Sequence, residues 1–361
     1  MDMSKQDPIL VWGGGAIGGT LAAYWARAGV PVLLVDIQPE HVQACRTTGL
    51  RIEGSIDNFT VQVPAVTPQE LRGTYSRIVL AVKALVTDPA VDALAPHLAA
   101  DGYVLSAQNG LNELAIARRL GAERTMGCFV NFGADWLEAG RIMYGGRGEV
   151  VVGEIDGPPR ERTIAMHKLL QLFEPNAVLT DNIWGYLWAK LGFAAMLFAT
   201  SLTNDSMDDN FADPQRFAVF DELGREVMAV ARERGIRPAP LTGFDPAAFM
   251  EGAPESAARA SIAILSQRRR NSVKKHSGFW RDLAVRKRKT EVDPLLGQVV
   301  EAARDCGVAT PALDTLITLV HDVEEGRREL SWDTFRVLLD VCEHKRASRL
   351  QAGAHPKEGH R

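Results

Sequence analysis

Cysteine is scarce. Cys45, Cys128, Cys306 and Cys342 are the only ones in 361 residues, and they are widely scattered. No CxxC and no histidine cluster accompanies them, which argues against a disulfide framework and a structural zinc site and gives no metal ligands to assign. A reducing, cytoplasmic compartment is the natural expectation. A basic excess is also missing. Lys and Arg number 41 against 45 Asp and Glu, a net charge of −4, so the overall balance does not draw the chain to nucleic acid. No run reaches the ~18 uninterrupted apolar residues of a membrane span. Lys5, the apolar run from Ile9 and Ala26-Arg27-Ala28 loosely imitate a signal peptide, but Asp2 and Asp7 outweigh the lysine and glycines break the run. With 46% apolar and 24% charged residues, the length suits two globular domains of roughly 100–200 residues each.

The first eight residues are polar and read as frayed. Ile9 to Trp12 is an apolar run of strand length, a helical pattern follows from Ala16 to Ala28, and Val30 to Val35 is a second β-rich run. Strand, glycine turn, helix and strand make a βαβ unit. Arg77 to Val82 and Tyr103 to Ser106 read as buried parallel strands, since neither alternates, with a helix around Pro89 to Leu98 between them. Glycine-rich residues 127–153 read as the less regular far side of the sheet. After Asp181 the strand signal fades, and helical patterns cover Ile183 to Ala199, Asp221 to Arg234, Ser256 to Arg270, Pro294 to Cys306 and Ala312 to Glu325. The expectation is an α/β dinucleotide-binding domain of the Rossmann type with a parallel sheet over residues 1–182, an all-α substrate and catalytic domain over 183–347, and a disordered tail over 348–361.

The chemistry begins at Gly13-Gly14-Gly15-Ala16-Ile17-Gly18, a G-x-G-x-x-G between a strand and a helix. Gly13 permits the tight turn, Gly15 lets backbone approach a pyrophosphate, Gly18 permits close helix–strand packing, and the N–H groups around Ala16 and Ile17 face the phosphates. Asp36 closes the second strand, where an acid accepts hydrogen bonds from the adenosine ribose and repels a 2′-phosphate. Ile37, Gln38 and Pro39 follow it rather than an arginine, so the cofactor is NAD(P)H with a lean towards NAD. The bland alternative for Asp36 is a helix cap.

Beyond this turn the chain resembles the ketopantoate reductase family. Lys83 in Ala81-Val82-Lys83-Ala84, Asn109-Gly110 after Gln108, Trp188-Ala189-Lys190-Leu191 and Arg288-Lys289-Thr290-Glu291-Val292-Asp293 match its motifs in order, over most of the chain. The resemblance implies a C-terminal domain of the 6-phosphogluconate dehydrogenase-like type, and reduction of a 2-oxoacid, 2-dehydropantoate or a related compound, in a cleft between the domains. It assigns the general acid to Lys190 and a substrate contact to Glu291. Asn109 suits a substrate carboxylate or the nicotinamide ribose, and Lys83 an anionic group of substrate or cofactor. Ser277 stands where the family has a substrate-binding serine. A dimer through the helical domain is implied by analogy only.

Lys190 lies among Tyr186, Leu187, Phe193 and Ala194 at helical spacing. Desolvation there lowers an ammonium pKa and favours proton donation, while a nearby Glu291 opposes the shift. A snorkelling lysine is the competing reading. Turn asparagine and strand-end lysine are the competing readings of Asn109 and Lys83. Ala194 departs from the family's asparagine, which leaves the substrate open and admits a catalytically silent NAD(P)-binding sensor or an opine-type dehydrogenase as alternatives. The basic stretch from Arg268 to Lys289 reads as a solvated face that also attracts anions, and His276 as a possible second acid–base group.

Overall fold

Ile9–Trp12 is apolar at every position and fully buried. Such a run belongs inside a sheet covered on both faces, and it forms the central strand, β1. The computed structural model describes residues 7–270 and 274–354, and these divide between Trp184 and Gly185 into two units.

In the first unit β1 leads to α1 (Ala16–Arg27), β2 (Val32–Val35), α2 (Pro39–Thr47), β3 (Leu50–Glu53), β4 (Phe59–Val61), β5 (Ala65–Val66), β6 (Tyr75–Leu80), α3 (Thr87–Leu94), β7 (Leu98–Ser106), α4 (Asn112–Leu120), β8 (Thr125–Val130), β9 (Gly133–Glu138), β10 (Arg141–Gly146), β11 (Val150–Glu154), α5 (Glu161–Gln171) and β12 (Val178–Leu179). The main sheet has the order β12-β11-β8-β7-β6-β1-β2-β5. Every neighbouring pair from β5 to β8 is parallel, and β11 is antiparallel to β8. The chain order of the six parallel strands reverses between β1 and β6, the position where doubly wound sheets open a ligand crevice at the carboxyl ends of their strands. Side chains of β1 alternate between two cores. Ile9 and Val11 pack with Leu21, Trp25 and Val79, whereas Leu10 and Trp12 pack with Val91, Leu94 and Ile78.

The glycine-rich region 127–153 is more regular than its composition suggests. β8 and β11 do lie on the far side of the main sheet, but β9 and β10 leave it and join β3 and β4 in a second sheet of order β4-β3-β10-β9. β3 and β4 are short and flanked by glycine and asparagine, so periodicity over them is weak. At the amino end, residues 1–6 lie outside the described residues. Asp7 is held rather than frayed, because its carboxylate accepts the Ser76 N–H at 2.7 Å and its carbonyl accepts from Arg77.

The second unit is helical, with no named strand among its described residues. It contains α6 (Ile183–Thr200), α7 (Met207–Ala212), α8 (Phe217–Glu233), α9 (Glu255–Arg270), a single turn α10 (Gly278–Trp280), α11 (Gln298–Cys306), α12 (Pro311–Glu324) and α13 (Trp332–Ala354). π-helical turns at Arg281–Val285 and Asp293–Gly297 bracket Glu291. α6 is long and apolar enough to cross a membrane, yet 78% of it is buried inside the protein, as in a core helix.

The expected disordered tail is corrected over residues 348–354, which continue α13. Local polarity is overridden there by charge pairing: Arg349 reaches Asp221 and Glu222 at 2.7 and 2.6 Å, and Arg346 reaches Glu255. Residues 355–361 lie outside the described residues. One turn earlier, Lys345 donates to Glu226 at 2.6 Å. The fully buried Glu226 carboxylate also accepts the N–H groups of Ala312 and Leu313, at 2.9 and 2.8 Å, and so closes the start of α12. Glu226→Ala leaves two buried N–H groups and an ammonium without their acceptor. It should cost about 3 kcal/mol of stability. Thermal unfolding checks this, and a variant that melts with the wild type contradicts the clamp.

Candidate active site

The glycine turn stands at the carboxyl end of β1, at the reversal of strand order. Gly13 has φ +107°, which only glycine adopts without strain. A side chain there would also strike the Ala81 carbonyl carbon and the Val82 nitrogen at 3.0 Å, where the chain leaves β6. A Cβ on Gly18 would fall 2.1 Å from the Gly13 carbonyl oxygen. The two glycines therefore let α1 seat directly on β1. Gly15, by contrast, faces open space, with no heavy atom within 4 Å of a built Cβ. No side chain caps the start of α1, and no acid lies in its first turn. Half-buried Ala16 and Ile17 follow. Open room beside Gly15 and an uncapped helix start fit the pyrophosphate of a dinucleotide.

Asp36 does two things at the end of β2. Its carboxylate accepts the Gly14 N–H at 2.7 Å and the Gln38 N–H at 2.9 Å. The second bond is the local cap that any aspartate can make; the first ties the acid to the glycine turn. Ile37 beside it is 79% exposed.

His41, which sequence reading passed over, is buried beneath this turn. Its Nδ1 accepts the Gly140 N–H at 3.0 Å, so the remaining proton sits on Nε2, on the side of Gly14 and Cys45. Burial holds its pKa below the usual 6.5, opposed by Asp36 and by a hydrogen bond to the Gly14 backbone. Only a histidine at helix position three of α2, facing inward, could have hinted at this; the pairing with Gly140 is tertiary.

Lys83 and Asn109 lie past the carboxyl ends of β6 and β7, on the same edge of the sheet as the glycine turn. Lys83 is exposed and Asn109 half-buried. Gly110, at φ +95°, makes the turn that follows Asn109. A buried polar network joins the two loops. Gln108 donates to the Val82 carbonyl at 3.0 Å and to Thr87 at 2.8 Å, Thr87 donates to Asn112 at 2.8 Å, and Asn112 donates to the Asn109 carbonyl. These supporting residues were also missed, although Gln108 and Asn112 flank the Asn109-Gly110 motif.

The remaining candidates belong to the helical unit. Lys190 is half-buried on α6, between the buried Leu187 and Phe193. Ser277 is buried and accepts the Trp280 N–H at 3.1 Å, which is the bond of a helix cap. The turn that it starts stacks Phe279 on Phe198 of α6 at 3.6 Å. Phe198 and Lys190 share a helix stripe at i and i+8. Glu291 is buried, and its neighbours are fastened to α12 on both sides. The Thr290 N–H and hydroxyl donate to Glu324 at 2.6 and 2.7 Å, and His321 contacts Asp293 at 3.0 Å. His276 stacks on Trp280 and bonds the Asn204 carbonyl, contacts that need no catalytic role.

The His41 geometry has a consequence in pH. The native state resists the proton that the unfolded chain accepts, so its stability should fall as pH drops below about 6.5. In melting curves from pH 7.5 to 5.5 (about two units spanning the histidine reference value), His41→Gln should show a shallower decline than wild type. Equal slopes contradict a buried neutral imidazole.

Family models agree with this two-part organisation. The ketopantoate reductase PanE/ApbA model matches residues 9–157, and the ketopantoate reductase PanE/ApbA C-terminal model matches residues 182–324. A 2-dehydropantoate 2-reductase of Pyrococcus abyssi is 30% identical over 333 residues, covering 89% of this chain and 99% of that protein. Among solved structures, a PanE/ApbA family ketopantoate reductase from Ralstonia eutropha JMP134 superposes with TM-score 0.73 at 27% identity, over 88% of this chain and 99% of that one. D-mandelate dehydrogenase with NADH and anilino(oxo)acetate shares the fold at TM-score 0.73 and 21% identity, over 88% and 99%. With both models matched in sequence over both units, the chain belongs to the ketopantoate reductase family of oxidoreductases.

Proposed function

We propose that this protein reduces a 2-oxoacid, 2-dehydropantoate or a close relative, to the 2-hydroxyacid, with NADH preferred over NADPH and Lys190 as the general acid. The observation that carries the reading is the glycine turn: Gly13 and Gly18 closed against their neighbours and Gly15 open, at the strand reversal of a doubly wound sheet. The P. abyssi relative is named for reduction of 2-dehydropantoate, and the D-mandelate dehydrogenase of similar fold carries NADH with an oxoacetate derivative. Both support a 2-oxoacid substrate for this chain.

When bound, the reduced nicotinamide supplies a hydride to the carbonyl carbon. The chain's own residues supply the rest. Lys190 gives a proton to the carbonyl oxygen as charge builds on it, and its apolar helix surroundings favour that release. Glu291 accepts from a substrate hydroxyl or holds the ammonium in line. Asn109 and Ser277 orient the substrate through side-chain donors, and Lys83 offers charge to an anionic group. Gly13, Gly15, Ala16, Ile17 and Gly18 bind the pyrophosphate through backbone. Asp36 accepts from the ribose, with no arginine in Ile37-Gln38-Pro39 to welcome a 2′-phosphate. A cytoplasmic location and a homodimer through the helical unit complete the proposal.

Dinucleotide absorbance with a panel of 2-oxoacids tests it. Wild type should oxidise NADH faster than NADPH with 2-dehydropantoate or a related acid. Lys190→Ala should lower kcat by ~10²–10⁴ while NADH still binds. Near-normal turnover in that variant rejects Lys190 as the acid, a clear NADPH preference rejects the role of Asp36, and tight NADH binding with no oxidation by any acid favours the sensor reading instead.

A further inference from the structure

In the sequence Arg268-Arg269-Arg270 at the end of α9, the three side chains have different fates. Arg268 is exposed and packs against Gly243. Arg270 faces Asp208 at 3.5 Å. Arg269 is half-buried and lies over the ring of Phe193, 5.9 Å from its centroid. No described residue gives it a hydrogen bond or an ion pair.

Comparison with other stacked arginines shows what is missing. Arg27 lies over Tyr24 and Phe59 and pairs with Asp57. Arg162 lies over Tyr103 and pairs with Glu154. Arg216 lies over Trp332 and Phe335 and pairs with Asp205 and Asp213. Arg259 and Arg346 lie over Phe217 and share Glu255. In each case the ring shields one face of the guanidinium and a carboxylate takes its edge. Arg269 has the ring without the carboxylate. Burial and the neighbouring Arg268 push its pKa below the usual value, the direction expected of a cation that has lost water and gained no anion.

Phe193 stands three residues beyond Lys190 on α6, so the two share a helix face. Ala194, the next residue, offers that face no polar atom. The planar fork of an arginine matches a carboxylate with two parallel hydrogen bonds. We propose that Arg269 is a substrate-recognition residue, which takes a carboxylate of the substrate on the face of α6 that carries Lys190. The proposal rests on the reductase reading above, and it adds a specificity residue that the family motifs in this sequence do not include. The carboxylate is either the one next to the reacting carbonyl or a second one at the far end of a 2-oxodicarboxylic acid.

The test combines turnover with direct binding. Arg269→Met should raise KM by about 10–100-fold, the worth of a charged bidentate contact, with a much smaller change in kcat and unchanged NADH affinity. Arg269→Lys should fall between. Guanidinium ion added to Arg269→Ala should recover part of the KM, which a purely structural arginine would not allow. A KM rise for monocarboxylic and dicarboxylic 2-oxoacids alike assigns the contact to the carboxylate beside the carbonyl; a rise confined to dicarboxylic acids assigns it to the distal one. Binding of oxamate, an unreactive 2-oxoacid mimic, and of N-oxalylglycine, which adds a distal carboxylate to the same oxamate group, is measured by calorimetry on the NADH-loaded protein. Turnover with KM unchanged in Arg269→Met overturns the proposal and leaves the reductase reading standing. Carboxylate binding that Arg269→Met abolishes, in a protein that oxidises NADH with no acid, supports Arg269 and removes the reductase reading. Neither turnover nor carboxylate binding in wild type overturns both.

Discussion

A missing side chain at residue 18 is the constraint on which the first unit depends. The position a Cβ would take lies 2.1 Å from the Gly13 carbonyl oxygen, so any other residue pushes α1 away from β1. With glycine there, the start of α1 is held over the strand reversal, and the chain leaving β6 closes against Gly13. Asp36 then reaches the Gly14 N–H, and His41 fills the space beneath. Gly19 extends the same logic, since a Cβ there would meet Ile142 of β10 at 2.4 Å. The second sheet is thereby packed against α1, and His41 ties it to the glycine turn through Gly140. One close approach between helix and strand thus sets the backbone geometry of the glycine turn and couples it to the second sheet.

The parallel sheet and the helical second unit were legible because both rest on local signals: unbroken apolar runs for strands covered on two sides, and helical spacing from Ile183 onward. The glycine turn was legible because its chemistry is local too. The second sheet was not. β3 pairs with β10 across nearly ninety residues, and nothing within either strand announces the partner. The end of α13 was misread for a similar reason. Its composition is polar, but Arg346 and Arg349 are held by acids on α8 and α9, and no local rule counts such distant carboxylates. Among the candidate residues, Lys190 and Glu291 stood out through motif and spacing. The contacts around the candidates, Thr290 with Glu324 beside Glu291, and Gln108 with Thr87 and Asn112 behind Lys83 and Asn109, form by tertiary pairing and carried no signal beyond their nearness to a motif.

The two units divide the proposed chemistry. The first provides the glycine turn, Asp36, Asn109 and Lys83, all features that bind without reacting. The second provides charged and polar side chains on or against a single buried helix: Lys190 on α6, Ser277 in a turn stacked on Phe198, and Arg269 over Phe193. A proton donor needs an environment that is dry enough to tune it and rigid enough to aim it, and an apolar core helix meets both needs.

The most direct measurement follows the hydride itself. Wild-type protein is given a 2-oxoacid and NADH carrying deuterium at both C4 positions of the nicotinamide, and the product is weighed by mass spectrometry. A 2-hydroxyacid bearing one deuterium on its second carbon is the expected result. A product with only solvent hydrogen at that carbon, or dinucleotide left intact across the acids tried, contradicts a direct transfer at this site.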